Sequence, residues 1–163
     1  MPTVTAIPPT TTPVPPTAEA TAVVMRYKGA AEGRDAQGVP TLGDPAALLL
    51  TDYSDFLGPA CQRHVLTLEP LLIEQYVTVG QLQLAFRPVL NHGERSLFAS
   101  EAAFCAAEQQ SFWIMHELLF SRQDELWATQ LSITRRGGRG MPLISALIKQ
   151  PSSAVGWQMK RWR

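Results

Sequence analysis

The chain has 163 residues, 45% of them hydrophobic, which suits one ordinary domain with its own core. Its formal net charge is zero, but every acidic residue lies at or before Glu125, while half of the 14 basic residues lie from Arg135 onward. Two cysteines exclude a disulfide-based scaffold, and no apolar run is long enough to cross a bilayer.

The first 22 residues, MPTVTAIPPTTTPVPPTAEATA, are mostly Pro, Thr and Ala, with Glu19 as the single charge. Proline fixes φ and removes hydrogen-bond donors, so this composition predicts a disordered, extended linker over 1–22. The alternative is a stalk that holds a domain away from a membrane or cell wall. Such a stalk would follow a signal peptide or lipid anchor. No signal peptide is visible, so the start would then be internal.

A short strand is predicted at 22–27, and the Gly, Pro and Asp residues of KGAAEGRDAQGVPTLGDP predict a loop after it. The run AALLLTDYSDF is typical of a strand buried on both faces, centred on Leu48–Tyr53. QLQLAFRPVL alternates in polarity and predicts a second strand over Leu82–Arg87. With a helix between them, these strands predict a β-α-β unit with parallel pairing.

The helix between these strands is predicted over 59–78. Pro59 suits its first turn, Gly58 is acceptable as the N-cap, and Gly80 ends it. Pro70 lies inside the helix and predicts a kink. The apolar positions at helical spacing, which predict the buried face, are Val65, Leu68, Leu71, Leu72 and Tyr76.

A long amphipathic helical region is predicted from Ser96 to Phe120. Its apolar stripe contains Phe98, Ala102, Cys105, Ala106, Gln109, Phe112, Trp113, His116, Leu119 and Phe120. After Trp127 the periodicity ends, and residues 128–163 have clustered Arg and Gly and no acid. This predicts a basic tail that is either disordered or the frame-shifted end of a GC-rich gene. RRGGRG is typical of nucleic-acid-binding segments, but one short copy does not favour a nucleic-acid partner.

Several blocks together resemble the DsbA-like branch of the thioredoxin superfamily. The leader GVPTLGDPAA precedes LLLTDYSDFLGPACQRH, and YVTVG, LQLAFRPVL and SEAAFCAAEQQSFWIMHELLF follow. The resemblance covers about residues 38–127. It implies an α/β, thioredoxin-like three-layer fold with a helical insertion over 23–127. The fold is expected to be incomplete at its C-terminus, because the family's later β-hairpin, cis-proline and final helix are not recognisable after Trp127. Met141-Pro142 comes too soon for that cis-proline.

The main departure from the family lies in its D-F-x-C-P-x-C block. Here Gly58 holds the position of the exposed nucleophilic cysteine, Pro59 follows it, and Cys61 holds the position of the buried partner. A helix N-terminus stabilises a thiolate, and a second thiol one turn later resolves the mixed disulfide. With the first thiol absent, a turnover cycle is not supported. The resemblance also implies that Asp52 holds the position of a buried acid that relays protons to the buried cysteine.

The remaining polar residues receive structural interpretations. Asp55 is interpreted as a turn or cap residue, and His64, one turn after Cys61, as facing solvent. His92 is placed in a loop, and Cys105 is interpreted as a buried small hydrophobe. The histidines and cysteines show no ligand spacing, so we expect no metal site and no cofactor.

The leading hypothesis is a relative of an extracytoplasmic thiol–disulfide oxidoreductase that is impaired or inactive because of Gly58. Expected partners are protein thiols and disulfides or extended peptides, with a membrane redox protein as electron partner. The family and the Thr/Pro-rich lead-in imply a periplasmic or cell-surface location. Two alternatives stay open: a non-catalytic peptide-binding module of the same fold, and a truncated or misread gene product in which codon 58 specifies cysteine or selenocysteine.

Overall fold

A computed structural model describes residues 25–130 and the backbone of two short strands at 132–133 and 139–140. The predicted linker at 1–22, most of the predicted tail and Met141-Pro142 lie outside the described residues. Among those that are described, no helix combines the length and apolar character needed to cross a membrane.

Five strands form one mixed sheet in the order β1-β2-β3-β5-β4. They are β1 Arg26–Tyr27, β2 Ala30–Arg34, β3 Pro40–Leu42, β4 Leu48–Ser54 and β5 Leu82–Pro88. β4 and β5 pair in parallel, with Leu48 opposite Leu82, and the other neighbours pair antiparallel. The predictions of an α/β architecture and of a parallel β-α-β unit are therefore confirmed.

The predicted loop after Tyr27 is wrong, because this segment supplies β2 and β3. Lys28 and Gly29 both have positive φ, 48° and 85°, which is the two-residue turn that matches the twist of a hairpin. At the next turn the Asp35 carboxylate accepts hydrogen bonds from the backbone N–H groups of Gln37 and Val39. The Gly and Asp residues that predicted a loop are thus the turns of a three-stranded meander.

The prediction that the strand at Leu48–Tyr53, which is β4, is buried on both faces is also wrong. β4 lies at the edge of the sheet, and within the described part of the chain β5 is its one partner. Leu48, Leu49 and Tyr53 are 75%, 56% and 66% exposed. The central strand is β5, which pairs with β3 and β4.

The connection between β4 and β5 is helical from Pro59 to Val77, but its turns alternate in type. It consists of α1 Pro59–Arg63, a π-helical segment His64–Leu68, α2 Glu69–Leu72 and a second π-helical segment Ile73–Val77. The Glu69 N–H donates to the His64 carbonyl, five residues back, directly before Pro70. A wide turn there accommodates a proline ring that would clash with the carbonyl four residues back. The irregularity predicted at Pro70 is therefore a π-helical turn.

This helical segment buries a different face from the predicted one. The buried row is Val65, Glu69, Ile73 and Val77, each four residues after the last. Leu68, Leu71 and Tyr76, predicted to be buried, are 47%, 47% and 43% exposed. A π turn holds more residues than an α turn, so alternating the two aligns positions four apart. The face prediction assumed a regular α-helix and is wrong for this reason.

The predicted helix from Ser96 to Phe120 is two helices, α3 Glu94–Ala107 and α4 Phe112–Ser121, followed by α5 Gln123–Ala128. Gln110 takes a left-handed conformation with φ 53° and reverses the chain between α3 and α4. The Phe112 and Trp113 N–H groups donate to the Glu32 carboxylate on β2, which caps the start of α4. The cap lies about eighty residues away in sequence, so periodicity did not reveal the break.

Beyond residue 130 the described backbone forms a second, two-stranded antiparallel sheet. It pairs β6 Ser132–Ile133 with β7 Arg139–Gly140. No strand pair was predicted after Trp127, so this short pair is an element that the sequence did not reveal. β6 and β7 belong to a separate sheet from the five-stranded one.

Candidate active site

The loop from β4 into α1 places Gly58 at the N-cap and Pro59 in the first turn, as predicted. Gly58 has φ −79° and ψ 120°, an extended conformation open to any residue. The Gly58 carbonyl accepts a hydrogen bond from the Gln62 N–H at 2.9 Å, which begins the helical ladder. The backbone at this position therefore does not require glycine.

Gly58 and Cys61 meet across the first turn of α1. A Cβ atom built on Gly58 would lie 3.0 Å from the Cys61 Sγ and 3.5 Å from the Cys61 Cβ. The Cβ atoms of a disulfide are about 3.5–4.5 Å apart. The two positions are thus spaced as in a disulfide from which the first sulfur is missing.

Cys61 is a free, half-buried thiol whose side chain packs against the hydrophobic core. The neighbouring Gln62 amide donates to the Phe120 carbonyl at 2.9 Å and joins α1 to the end of α4. The sulfur is therefore held on a fixed helix turn, and part of its surface is open to solvent.

Two side chains of α5 hold the carbonyl groups of the loop before Cys61. The Gln123 amide donates to the carbonyls of Phe56 and Gly58, at 2.9 and 3.0 Å. The Trp127 indole N–H donates to the Leu57 carbonyl at 3.2 Å. Phe56, Leu57 and Gln123 are almost fully buried, so water does not replace these bonds. The loop that presents position 58 is fixed by contacts from across the domain.

Asp55 joins this loop to the loop before α3. Its carboxylate accepts hydrogen bonds from the Leu57 N–H, the Asn91 N–H and the Ser96 hydroxyl, and contacts the His92 ring at 2.8 Å. Burial alone would raise the pKa of Asp55, but these hydrogen bonds and His92 together lower it below its usual value. The prediction of a turn or cap role is confirmed, and the structure adds the link to His92 and Ser96.

Asp52 lies on β4, and its carboxylate belongs to a group of three side chains. The Ser54 hydroxyl donates to both Asp52 oxygens, at 2.7 and 2.8 Å. One potential ligand atom from each of Asp52, Glu69 and His116 lies within 4.8 Å of the other two. Cys61 is not a member of this group. The structure therefore places Asp52 beside Glu69 and His116 on the helices that cover the sheet.

Glu69 and His116 are buried, and each favours its neutral form. Burial is the main cause that raises the pKa of Glu69 to about 8, and the negative charge of Asp52 adds to it. Burial likewise lowers the pKa of His116 to about 3. The His116 Nδ1 lies 3.7 Å from a Glu69 oxygen, which is too long for a hydrogen bond, and neither ring nitrogen has a partner.

The other residues singled out in the sequence have mixed outcomes. His116 lies on the buried stripe as predicted, in edge-on contact with the rings of Phe86 and Phe120. His92 lies in a loop as predicted, whereas His64 is half-buried rather than facing solvent. Cys105 is half-buried rather than buried, and burial together with Glu108 and Glu101 raises its pKa.

Comparison with known families decides which group of proteins this site belongs to. The sequence model of a family described as Thioredoxin matches residues 20–155, which is most of the chain. The chain belongs to this thioredoxin family. Its relatives, which include proteins named disulfide bond formation protein D, place it in the DsbA-like branch of that family. The thioredoxin-like fold implied by the resemblance is therefore confirmed.

Three matches show which known proteins the chain is similar to, and two of them carry names of the DsbA-like group. The chain is 28% identical over 99 residues to the disulfide bond formation protein D of Bacillus subtilis, which is 57% of this chain and 45% of that protein. It is 36% identical over 83 residues to the Na(+)/H(+) antiporter NhaA 3 of Salinispora tropica, covering 50% of this chain and 12% of the antiporter. The oxidised BdbD structure from Bacillus subtilis matches with a TM-score of 0.52 and 28% identity, over 58% of this chain and 53% of that one.

This DsbA-like chain thus spans less than half the length of the curated relatives described above. The comparisons leave the roles of Gly58, Pro59, Cys61 and Asp52 as predictions. Sequence reasoning missed Glu69, Gln123 and Trp127 as parts of the site. Of these three, only Glu69 could have been found from the sequence, because it lies four residues from both Val65 and Ile73 in an otherwise apolar row.

Proposed function

We propose that the chain is a DsbA-like protein with a single reactive sulfur, Cys61, and that it does not turn over thiol–disulfide exchange unaided. The observation that carries this proposal is the spacing of Gly58 and Cys61, which retains the frame of a disulfide without its first sulfur. Hydrogen bonds from Gln123 and Trp127 hold the loop in place. Position 58 is therefore fixed at the start of the helix, and no neighbouring residue of the loop can move into it.

The proposed reaction is formation of one mixed disulfide. The Cys61 thiolate attacks a sulfur of a protein disulfide, the sulfur–sulfur bond of the substrate breaks, and the departing sulfur leaves as a thiolate. In the family the cysteine at the position of Gly58 attacks and the cysteine at the position of Cys61 resolves, so a mixed disulfide on Cys61 has no second thiol within this pair to release it. In this chain an external thiol such as glutathione has to attack the Cys61 sulfur, so release is slow. Protein thiols and disulfides outside the cytoplasm, and a membrane redox protein, are the partners that the family suggests.

Asp52 is proposed as the proton acceptor that serves the Cys61 thiol, through intervening water. Support comes from its place on β4, the strand that leads directly into the site loop, and from its half-buried carboxylate. Asp52→Asn should slow alkylation of Cys61 near neutral pH, with Asp44→Asn as the control. An unchanged rate in Asp52→Asn would remove Asp52 from the thiol chemistry.

The test of the main proposal compares the chain with its Gly58→Cys variant. The natural chain should show no catalysis of insulin reduction or of the refolding of a scrambled disulfide protein, yet should form a glutathione adduct on Cys61. Gly58→Cys should acquire oxidase or reductase turnover, and Gly58→Ser should not. Turnover by the natural chain at the rate of Gly58→Cys would contradict the proposal.

A second candidate function, a non-catalytic peptide-binding module, is favoured by the exposed edge of β4. Unpaired edge strands accept an additional strand from a partner, with main-chain hydrogen bonds providing affinity. Leu49 and Tyr53 on this strand are more than half exposed. In this case extended peptides should bind equally well to the natural chain and to Cys61→Ser. Loss of peptide capture in Cys61→Ser would favour the thiol function instead.

A further inference from the structure

The geometry points to a divalent-cation site of the zinc class formed by Asp52, Glu69 and His116. These residues come from three separate elements, β4, α2 and α4. Their nearest ligand atoms lie within 4.8 Å of one another. Tetrahedral zinc with bonds of about 2.0–2.1 Å requires ligand atoms about 3.3 Å apart. Side-chain rotations that move these ligand atoms by on the order of 1 Å would therefore complete the site.

His116 provides an observation independent of the two acids. Its side chain is fully buried, and both of its ring nitrogens lack a hydrogen-bond partner. Buried polar atoms are almost always satisfied, and an orphaned one calls for an explanation such as an absent ion. The Nδ1 atom is 3.7 Å from the Glu69 carboxylate, so the unpartnered nitrogen faces the acidic group. Neutral imidazole is the form that binds metals.

The surroundings fit a metal site in two further respects. Ser54 donates to both oxygens of Asp52 and fixes the carboxylate, as outer-shell partners of metal ligands do. Asp52 is only half-buried, so one of the three ligands is in reach of solvent.

The donor set selects the kind of ion. One imidazole nitrogen and two carboxylate oxygens suit zinc and other first-row divalent ions, with water completing the coordination. Calcium takes six to eight oxygen ligands, and this group does not supply them. Neither cysteine belongs to the group, so this inference does not rest on the proposed thiol function.

The test uses the full chain with Cys61→Ser and Cys105→Ser, stripped of metal by a chelator and titrated with zinc by calorimetry. One zinc ion per chain should bind, with a rise in melting temperature that calcium does not produce. Asp52→Asn and Glu69→Gln should each weaken zinc at least about tenfold, since even outer-shell changes cost about 10–100-fold. Glu74→Gln, an exposed acid on the same helical segment, should bind as the parent does.

Substitution of the imidazole separates a ligand from a packing residue. His116→Phe retains a ring among the surrounding aromatic residues and should fold but abolish the zinc-dependent rise in melting temperature. If that variant does not fold, the isosteric Asp52→Asn and Glu69→Gln variants decide the question. The inference is overturned if zinc shows no saturable one-to-one binding, or if Glu69→Gln and Glu74→Gln weaken it equally.

Discussion

The Cys61 sulfur lies 3.0 Å from the point where a Cβ atom would stand on Gly58. Across a formed disulfide the distance from one Cβ to the far sulfur is about 3.0 Å, given S–S bonds near 2.05 Å. The first turn of α1 is thus already spaced for a bond that the chain does not make.

Gly58→Cys should therefore form an intramolecular disulfide with Cys61 under mild oxidant. The extended φ and ψ at position 58 suit any residue, and a Cβ there would lie 3.2 Å from the Asp55 carbonyl oxygen, so a shift of a few tenths of an ångström brings the new sulfur within bonding distance of Cys61. Mass spectrometry of the oxidised and reduced variant should show a difference of two hydrogens. Gly58→Ser is the control, and a variant whose two thiols stay separately alkylatable after oxidation would contradict the prediction.

Gln123→Met should destabilise the fold by about 2–4 kcal/mol, because two buried carbonyls, of Phe56 and Gly58, lose their donor. The replacement has nearly the same shape, so the change reports on hydrogen bonding rather than volume. Urea unfolding followed by circular dichroism measures it. Gln75→Met, at an exposed site on the crossover helix, should change stability by less than about 0.5 kcal/mol.

Asp55→Asn should lower the free energy of unfolding at neutral pH by about 2–4 kcal/mol. The free energy of unfolding of the variant should also fall less steeply than that of the natural chain as the pH is lowered. The pKa of Asp55 is lowered in the fold, so its contribution is present above the unfolded value near 4 and is lost as pH falls through the folded value. Unfolding midpoints measured from pH 7 down to pH 2 should converge for the variant and the natural chain. Parallel curves for Asp55→Asn and the exposed control Asp124→Asn would argue against this.

Cys105 should react slowly with iodoacetamide at pH 7, since burial, Glu108 and Glu101 raise its pKa. The thiol lines a cavity of about 440 Å³ together with Phe104 and both acids. Replacing the two acids with glutamine should raise the alkylation rate by up to about tenfold per pKa unit recovered. A rate that responds equally to Glu74→Gln would show that the local charges do not control the thiol.

Leu49→Lys should reduce aggregation of the isolated chain while leaving its unfolding midpoint nearly unchanged. Leu49 is 56% exposed on β4, whose outer edge has no partner among the described residues, and a lysine there disfavours pairing between edges. Light scattering, recorded as each protein is concentrated, compares the aggregation of the variant with that of the natural chain. Leu50→Lys is the matched comparison: Leu50 packs against the core, so that variant should unfold more readily.

Local signals in the sequence determined the elements around the candidate site. The Gly58–Pro59 helix start, the Gly80 stop and the two parallel strands were all predictable, because capping and strand periodicity act within a few residues. The prediction that Gly58 holds the position of a nucleophilic cysteine came from the resemblance to the family block alone. What the structure adds is the distance between Gly58 and Cys61 and the side chains that fix the loop.

Only the tertiary structure decided which strand is central and which face of the crossover helix is buried. β5 is interior because the β2–β3 meander pairs with it, so β4 remains at the edge despite its more apolar sequence. Alternating α and π turns bring Glu69 rather than Leu68 into the core. The Glu32 cap on α4 and the grouping of Asp52 with His116 join residues more than sixty positions apart. Such contacts depend on how whole elements pack, and neither propensity nor periodicity within one element encodes them.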